Sequence, residues 1–303
     1  MKTPKDIGAS VRARLLRLAR ERGEDFQLVL TRYANERFLY RLATSDHASK
    51  FVLKGAALFT LWTGEPHRAT RDVDFLGFGD PSVERIRSIF SEVMTAEVVN
   101  DGVSFDVAKI SVSPIREDQE YGGVRVATVA HISSAVIRLQ IDIGFGDAIT
   151  PEAEVAAFPA LLDFPAPTLR CYPRETVVAE KLEAMVVLGQ ANSRMKDFYD
   201  LAILSQIFAF EGEVVVRAIA TTFARRKTPM RPGLPIALTS QFTDDQTKRT
   251  QWAAFLRKSA APNKTSLRDA AATITRFIEL PIAAATSGAA FKMSWKPGGP
   301  WTP

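Results

Sequence analysis

One cysteine, Cys171, and three histidines, His47, His67 and His131, are all that 303 residues supply of thiol and imidazole metal ligands. A single thiol excludes an internal disulfide framework and any zinc site built on cysteine pairs. Beside Tyr172-Pro173, Cys171 reads as a buried apolar filler rather than a nucleophile. His47 and His131 read as turn or strand-end residues. Only His67, in a loop with Arg68 and Arg71, stands near candidate chemistry, and a histidine-based zinc site is not expected. Long apolar runs are also missing: none approaches the roughly 18 residues of a membrane span. The opening MKTPKDIGASVRARLL has no signal-peptide core. A cytoplasmic protein with no membrane partner is expected. There are no internal repeats and no low-complexity segment.

The chain is basic overall, with a net charge of +5, but unevenly so. Residues 1–150 are balanced, with 20 Lys and Arg against 20 Asp and Glu. From residue 201 onward there are 14 basic residues against 6 acidic ones. Such a surface suits a polyanion such as RNA; the plain alternative is a solvated helical face.

Hydrophobic periodicity predicts helices over 5–22 and 26–43, the first with an arginine-rich face at Arg12, Arg14, Arg17, Arg20 and Arg22. A strand–turn–helix–strand section follows at 51–76, then a helix over 81–93. Strands are expected over 103–107, 108–113, 124–129 and 135–143, with Gly122-Gly123 as a hairpin turn. The Pro-rich DFPAPTLRCYP at 163–173 is the best linker, which gives domains 1–165 and 166–303. The second reads as helical over 175–188, 195–207, 213–225, 244–258 and 266–279, with a frayed Gly/Pro/Ser-rich tail from 283. The expected class is α/β (α+β): a mixed sheet flanked by helices, followed by a helical C-terminal domain.

Chemistry concentrates in FVLKGAALFTLWTGEPHRATRDVDFL, residues 51–76. Asp72 and Asp74, two apart on a strand, share a face. Two same-face charges on an otherwise apolar strand call for a cation, because unpaired buried charge is costly. A third carboxylate on a neighbouring strand would complete a site for Mg²⁺ or Mn²⁺. Asp142, in VIRLQIDI, is the candidate; Asp147, after two glycines, is the alternative. Lys54-Gly55-Ala56 forms a strand-to-helix junction where backbone N–H groups approach phosphate, or a plain tight turn. Arg71 lies beside the carboxylates. Thr70, two residues before Asp72, is a candidate phosphorylation site: the added charge would oppose nucleotide binding. In ETVVAEKLEAMVVLGQANSRMKDFYDL, Lys181 stands among apolar helix residues and is suited to neutralise phosphate, or else to a surface ion pair. Asp197 opens the next helix as a general base, as a group orienting the lysine or the nucleotide's base, or as an ordinary N-terminal acid.

KGAALFTLW…RATRDVDFLG, LQIDIGFGD and YPRETVVAEKLEAM…NSRMKDFYDL together resemble the AbiEii toxin family of nucleotidyltransferases, which includes the MenT-type mycobacterial toxins. The likeness runs from about residue 10 to 280. It implies a nucleotidyltransferase core like that of DNA polymerase β, with Mg²⁺-dependent transfer of NMP from an NTP. The implied acceptor is an RNA, above all the tRNA 3′ end, where extension blocks aminoacylation. It also implies a cognate antitoxin encoded nearby. On this resemblance the glycine motif falls on Gly55, metal carboxylates on Asp72 and Asp74, the family lysine on Lys181 and the later acid on Asp197. One departure is the Gly55-Ala56 pair, where Gly-Gly or Gly-Ser is usual; it removes a hydroxyl and keeps the backbone N–H. The third carboxylate varies within the family, so Asp142 is a ligand by position only. The competing expectations are the same core acting on a protein or small-molecule hydroxyl, and a non-catalytic module that sequesters nucleotide or RNA.

Overall fold

The computed structural model describes residues 6–115, 122–259, 261 and 264–303. In chain order the elements are α1 (Ile7–Arg22), α2 (Phe26–Ala43), β1 (Phe51–Lys54), α3 (Ala57–Thr63), β2 (Asp72–Gly77), α4 (Val83–Thr95), β3 (Ser104–Phe105), β4 (Ser111–Ile115), β5 (Gly123–Ile132), β6 (Ala135–Phe145), β7 (Glu154–Ala157) and β8 (Thr168–Cys171), then α5 (Arg174–Leu188), α6 (Met195–Ile207), β9 (Phe210–Glu211), α7 (Gly212–Arg225), α8 (Ser240–Thr243), α9 (Gln246–Lys258), α10 (Leu267–Ser287), β10 (Ser294–Trp295) and β11 (Trp301–Thr302). They divide into two units. The first comprises 1–146 and 154–171, the second 147–153 and 172–303. The division thus falls after Cys171, later than the boundary expected at 165.

The first unit is built on a mixed sheet of order β3-β5-β6-β2-β1-β8-β7, with β4 also paired to β5. β1 runs antiparallel to β2, β2 parallel to β6, and β5 antiparallel to β6. Alternation decides what each face carries. Along β6, Ile137, Leu139, Ile141 and Ile143 are buried, while Arg138, Gln140 and Asp142 between them are not. Ile137 and Leu139, with Ala130 and Ile132 of β5, pack with Val11, Leu15 and Ala19 of α1 and Val29, Leu30, Tyr33 and Ala34 of α2. Phe75 of β2 and Phe51 of β1 join Phe38 of α2 and Phe90 of α4 through edge and stacked ring contacts. Helices therefore cover one face. By register, Lys54, Asp72, Asp74, Arg125 and Asp142 all leave the other.

Two expectations about this unit need correcting. The Pro-rich stretch holds the division between the units, after Cys171, but it is not loose chain. Arg37, 1% exposed, donates to the carbonyl of Pro165 at 2.8 Å, and its partner Glu36 accepts from the N–H of Leu161 at 2.7 Å. A buried guanidinium–carboxylate pair with remaining hydrogen-bond capacity draws the segment onto α2; β8 then pairs with β1 and β7. Three arginines of α1 are engaged within the unit: Arg14 pairs with Asp163 at 2.7 Å, Arg22 with Glu65 at 3.1 Å, and Arg12 lies over the Phe26 ring, while Arg17 and Arg20 are exposed. The predicted strand over 108–113 is instead a short helical turn at 107–109 followed by β4. Most of the link from β4 to β5 lies outside the described residues; Gly123 itself opens β5.

In the second unit α5, α6, α7 and α10 pack together. Thr176, fully buried, fastens 147–153 to α5 by accepting from the N–H of Thr150 and donating to its carbonyl. α10 continues past Pro281, beyond the end expected at 279, despite the lost hydrogen bond and steric cost of an interior proline; the alanines after it are strong helix formers, and Ile278, Ile282 and Ala284 around it are buried. The tail is not frayed. β9, β10 and β11 form a three-stranded sheet, and Trp301 stacks on Phe277 with its indole N–H on the Phe277 carbonyl at 2.8 Å. Trp295 bonds the Ser205 carbonyl at 2.7 Å. Two indoles bury enough surface to order a segment whose Gly and Pro content alone argues for disorder.

Candidate functional site

Strand register sets four charged residues side by side on one face of the first unit's sheet. Lys54 of β1 is opposite Asp74 of β2, Asp74 is beside Asp142 of β6, and Asp142 is opposite Arg125 of β5. Asp72 lies two residues earlier on β2, beside Gln140. Asp72 is exposed; Lys54, Asp74 and Asp142 are half-buried. Three carboxylates of this kind suit a hard divalent cation with oxygen ligands. Among the described residues, however, no three acidic, histidine or cysteine side chains converge closely enough to hold a metal ion.

Asp142 already has a cationic partner. Arg125 donates from Nε to Oδ1 at 2.8 Å and from Nη2 to Oδ2 at 2.7 Å, a two-pronged pair on both carboxylate oxygens. With its amide turned so that the oxygen faces the guanidinium, Gln140 accepts from the same nitrogens at 3.1 and 3.2 Å. Hydrogen bonding to Asp142, then the fields of Asp142, Asp72 and Asp74, raise the pKa of Arg125 further and hold it charged. Sequence reasoning missed Arg125. A lone cation in the alternating VRVATV carries no sign of its partner until β5 is paired with β6.

Gly55 follows β1 with φ of +75°, a left-handed conformation that favours glycine. A Cβ at this position would lie 2.8 Å from Cγ and 2.9 Å from Cβ of Asp74. The junction is therefore more than a tight turn: it lets the Asp74 carboxylate settle against bare backbone. Ala56 then caps α3 without a side-chain hydrogen bond, and α3 has only seven residues, so its dipole contribution is small. The exposed Arg71 has its carbonyl tied to Asn35 of α2 at 3.0 Å. Thr70 is half-buried in the loop before β2. His67 stacks on Phe59 at 3.5 Å between ring centroids. His47 bridges Glu92 and Lys50. Cys171 is fully buried, and burial pushes its thiol pKa up to about 11, as befits a filler.

The second unit holds a separate cluster. Lys181 of α5 donates to Asp197 Oδ1 and to Asp200 Oδ2 of α6, each at 2.9 Å, and Arg194 donates to Asp197 Oδ2 at 2.7 Å. The aspartate side chains are 1–2% exposed and that of Lys181 is 13% exposed. Burial alone would lower the lysine pKa, but Asp197 and Asp200 more than offset it, and the net shift is upward. Burial would raise the Asp197 pKa, but Lys181 and then Arg194 outweigh it, and the net shift is downward. Asp197 is thus a weak base held ionised, with one oxygen on Lys181 and the other on Arg194. The i,i+3 spacing of Asp200 from Asp197 puts both acids on one face. Asp147 is bound to Arg226 at 2.9–3.0 Å, in a network that also holds Glu180 and Glu183. Of the two candidate third carboxylates, Asp142 is the one in register with Asp74.

Residues 37–273 match the family model described as nucleotidyl transferase AbiEii toxin, type IV TA system. No curated protein sequence matches the chain. Among solved structures, JHP933 from Helicobacter pylori aligns with a TM-score of 0.50 at 14% identity, over 87% of this chain and 94% of that one. A candidate nucleotidyltransferase from H. pylori aligns with a TM-score of 0.48 at 15% identity, over 87% and 96%. At such identity the first of these speaks for a shared fold.

Proposed function

The chain belongs to the AbiEii family of nucleotidyltransferase toxins of type IV toxin–antitoxin systems, and from that premise we propose that it transfers NMP from an NTP to the 3′ end of an RNA, most specifically a tRNA, using a divalent metal ion held by Asp72 and Asp74. The observation that carries this reading is the carboxylate Asp74 seated against Gly55, next to Asp72 on one strand and Lys54 on the neighbouring one.

A bound Mg²⁺ or Mn²⁺ supplies charge neutralisation for the reacting phosphate and the pyrophosphate that leaves. The chain's own residues do the rest. Asp72 and Asp74 fix the ion's place on a strand whose alternate residues Val73 and Phe75 are locked in the core. Gly55, with no side chain, gives phosphate oxygens access to backbone N–H groups. Lys54 and Arg71 are placed to balance triphosphate charge. In the second unit Lys181 is kept protonated and fixed by Asp197 and Asp200, and is suited to neutralise phosphate.

The RNA acceptor is supported by α9. This helix exposes Arg249, Arg257 and Lys258 and has no carboxylate. Gln246, Arg249, Thr250, Ala253, Ala254 and Arg257 line a groove of about 360 Å³ along it. Its start is anchored beside the Lys181 cluster: Lys248 donates to the Asn192 carbonyl at 2.9 Å, and Asn192 Oδ1 accepts from the N–H of Arg194 at 2.8 Å. A cationic stripe of this kind is the footprint of a phosphate backbone. A toxin of this family works beside a cognate antitoxin, which would restrain the same transfer.

The deciding experiment incubates the protein with each labelled NTP, bulk tRNA and bulk protein, then sequences RNA 3′ ends. Label in tRNA that depends on Asp72 is expected. Label in the protein fraction alone would redirect the reading to a protein acceptor, and transfer undiminished in Asp72→Ala would sink it.

A further inference from the structure

Asp142 occupies the position of a third metal carboxylate, yet both its oxygens accept from one guanidinium, at 2.8 and 2.7 Å. We propose that Arg125 is a built-in counter-ion that keeps Asp142 out of the metal's coordination shell, so that the site takes one divalent ion, on Asp72 and Asp74, rather than two on three carboxylates. The inference rests on reading Asp72 and Asp74 as metal ligands.

Several features make the pair a fixed part of the site. Arg125 and Asp142 are directly opposite in the β5–β6 ladder, so backbone pairing already brings their Cβ atoms within reach. The planar fork of arginine matches a carboxylate and does not lose its charge at any working pH. Gln140, two residues from Asp142 on the same face, supports the guanidinium as a further acceptor. To ligate an ion, Asp142 would have to share both its oxygens with two charge-assisted hydrogen bonds or turn away from them.

The chemical consequence is a division of labour. In two-metal sites a second ion neutralises part of the charge on the carboxylates and the reacting phosphate. Here a permanent side-chain cation stands in the same row, one strand beyond Asp142. Arg125 acts through Asp142 and is a positioning residue.

The test counts metal directly. The full chain is dialysed to equilibrium against Mn²⁺ and an equimolar mixture of the four α,β-methylene NTPs, and bound ions are counted and examined by electron paramagnetic resonance. One Mn²⁺ per chain, without the signal of a coupled pair, is expected. Asp142→Asn should leave its affinity within about twofold, whereas Asp72→Asn should weaken it by more than about 100-fold, beyond what loss of an outer-shell group costs. Arg125→Gln should tighten Mn²⁺ binding by about tenfold or admit a second ion, as Asp142 becomes a ligand. The inference is overturned if the wild-type chain binds a coupled pair, or if Asp142→Asn weakens binding as much as Asp72→Asn. Metal uptake indifferent to Asp72 would instead remove the underlying reading. Circular dichroism of each variant separates these outcomes from unfolding; Arg125, 43% exposed, can be solvated once Asp142 is neutral.

Discussion

The Asp74 carboxylate lies against the α-carbon of Gly55, where any side chain would meet it: an added Cβ falls 2.9 Å from that of Asp74. The glycine also has φ of +75°. Gly55→Ala therefore combines backbone strain of about 1–2 kcal/mol with a clash that pushes Asp74 from its place. We expect transfer to fall by at least about 100-fold, as it does when reacting groups are misplaced by 1 Å. Thermal unfolding should show a protein that still folds. Initial rates with saturating NTP, set beside melting curves, check the prediction; a Gly55→Ala enzyme with wild-type turnover would mean that Asp74 tolerates displacement.

How much of this was legible in the sequence depends on the range of the interaction. The α6 helix over 195–207 matches its predicted bounds because its signal is local, an apolar period along one segment. The Asp72–Asp74 pair is legible for the same reason: alternation along one strand fixes their common face. The partners of Asp142 are not, since a one-residue change of register between β5 and β6 would face Arg125 away from it. The Pro-rich 163–173 segment misled because its order comes from a buried arginine more than a hundred positions away, Arg37, which finds the Pro165 carbonyl. Composition identified the tail as loose, yet two indoles with specific carbonyl partners decide its structure.

The tail accordingly carries stability. Trp301 is 6% exposed and packs on Phe277, Phe291 and Trp295. Trp301→Ala should cost about 3–5 kcal/mol, as large-to-small core changes do. Urea denaturation followed by circular dichroism reads this directly, and a midpoint equal to that of the wild type would show that the strands β9–β11 add nothing.

Cys171 gives a simple chemical readout. Burial raises its thiol pKa to about 11, so little thiolate exists at neutral pH, and the sulfur is enclosed. In the native protein at pH 8 it should resist a disulfide reagent that titrates it promptly in guanidinium chloride. Cys171→Ala should keep nucleotide transfer. Fast native labelling, or loss of transfer in a folded Cys171→Ala protein, would assign the thiol a chemical role.

On α9, Arg249→Glu combined with Arg257→Glu should raise the KM for RNA while leaving the KM for NTP unchanged. Each lost phosphate contact should also flatten the dependence of log K on log salt by about 0.7–0.9. RNA-binding isotherms at several salt concentrations measure both effects. An unchanged slope would place the RNA elsewhere on the basic C-terminal region.

The Lys181 cluster should set the acid limit of the second unit. Asp197 has a folded pKa below its ordinary 3.8, so its contribution to stability is fully present above about that pH and is lost as pH falls toward the folded value. Lys181, whose pKa is raised above 10.5, has the opposite sign: its contribution is present below that value and lost only as pH rises through the folded one. Between these limits the cluster holds steady. Lys181→Ala should cost about 3 kcal/mol at pH 7, the lower end for breaking a buried pair, because Arg194 still holds Asp197. The difference between wild type and variant should stay level across pH 5–9 and shrink in the acid limb below 3.8. Chemical denaturation at a series of pH values supplies the curve. A difference that instead grew toward low pH would show that Asp197 is not held ionised by Lys181, and would take away the positional role assigned to it.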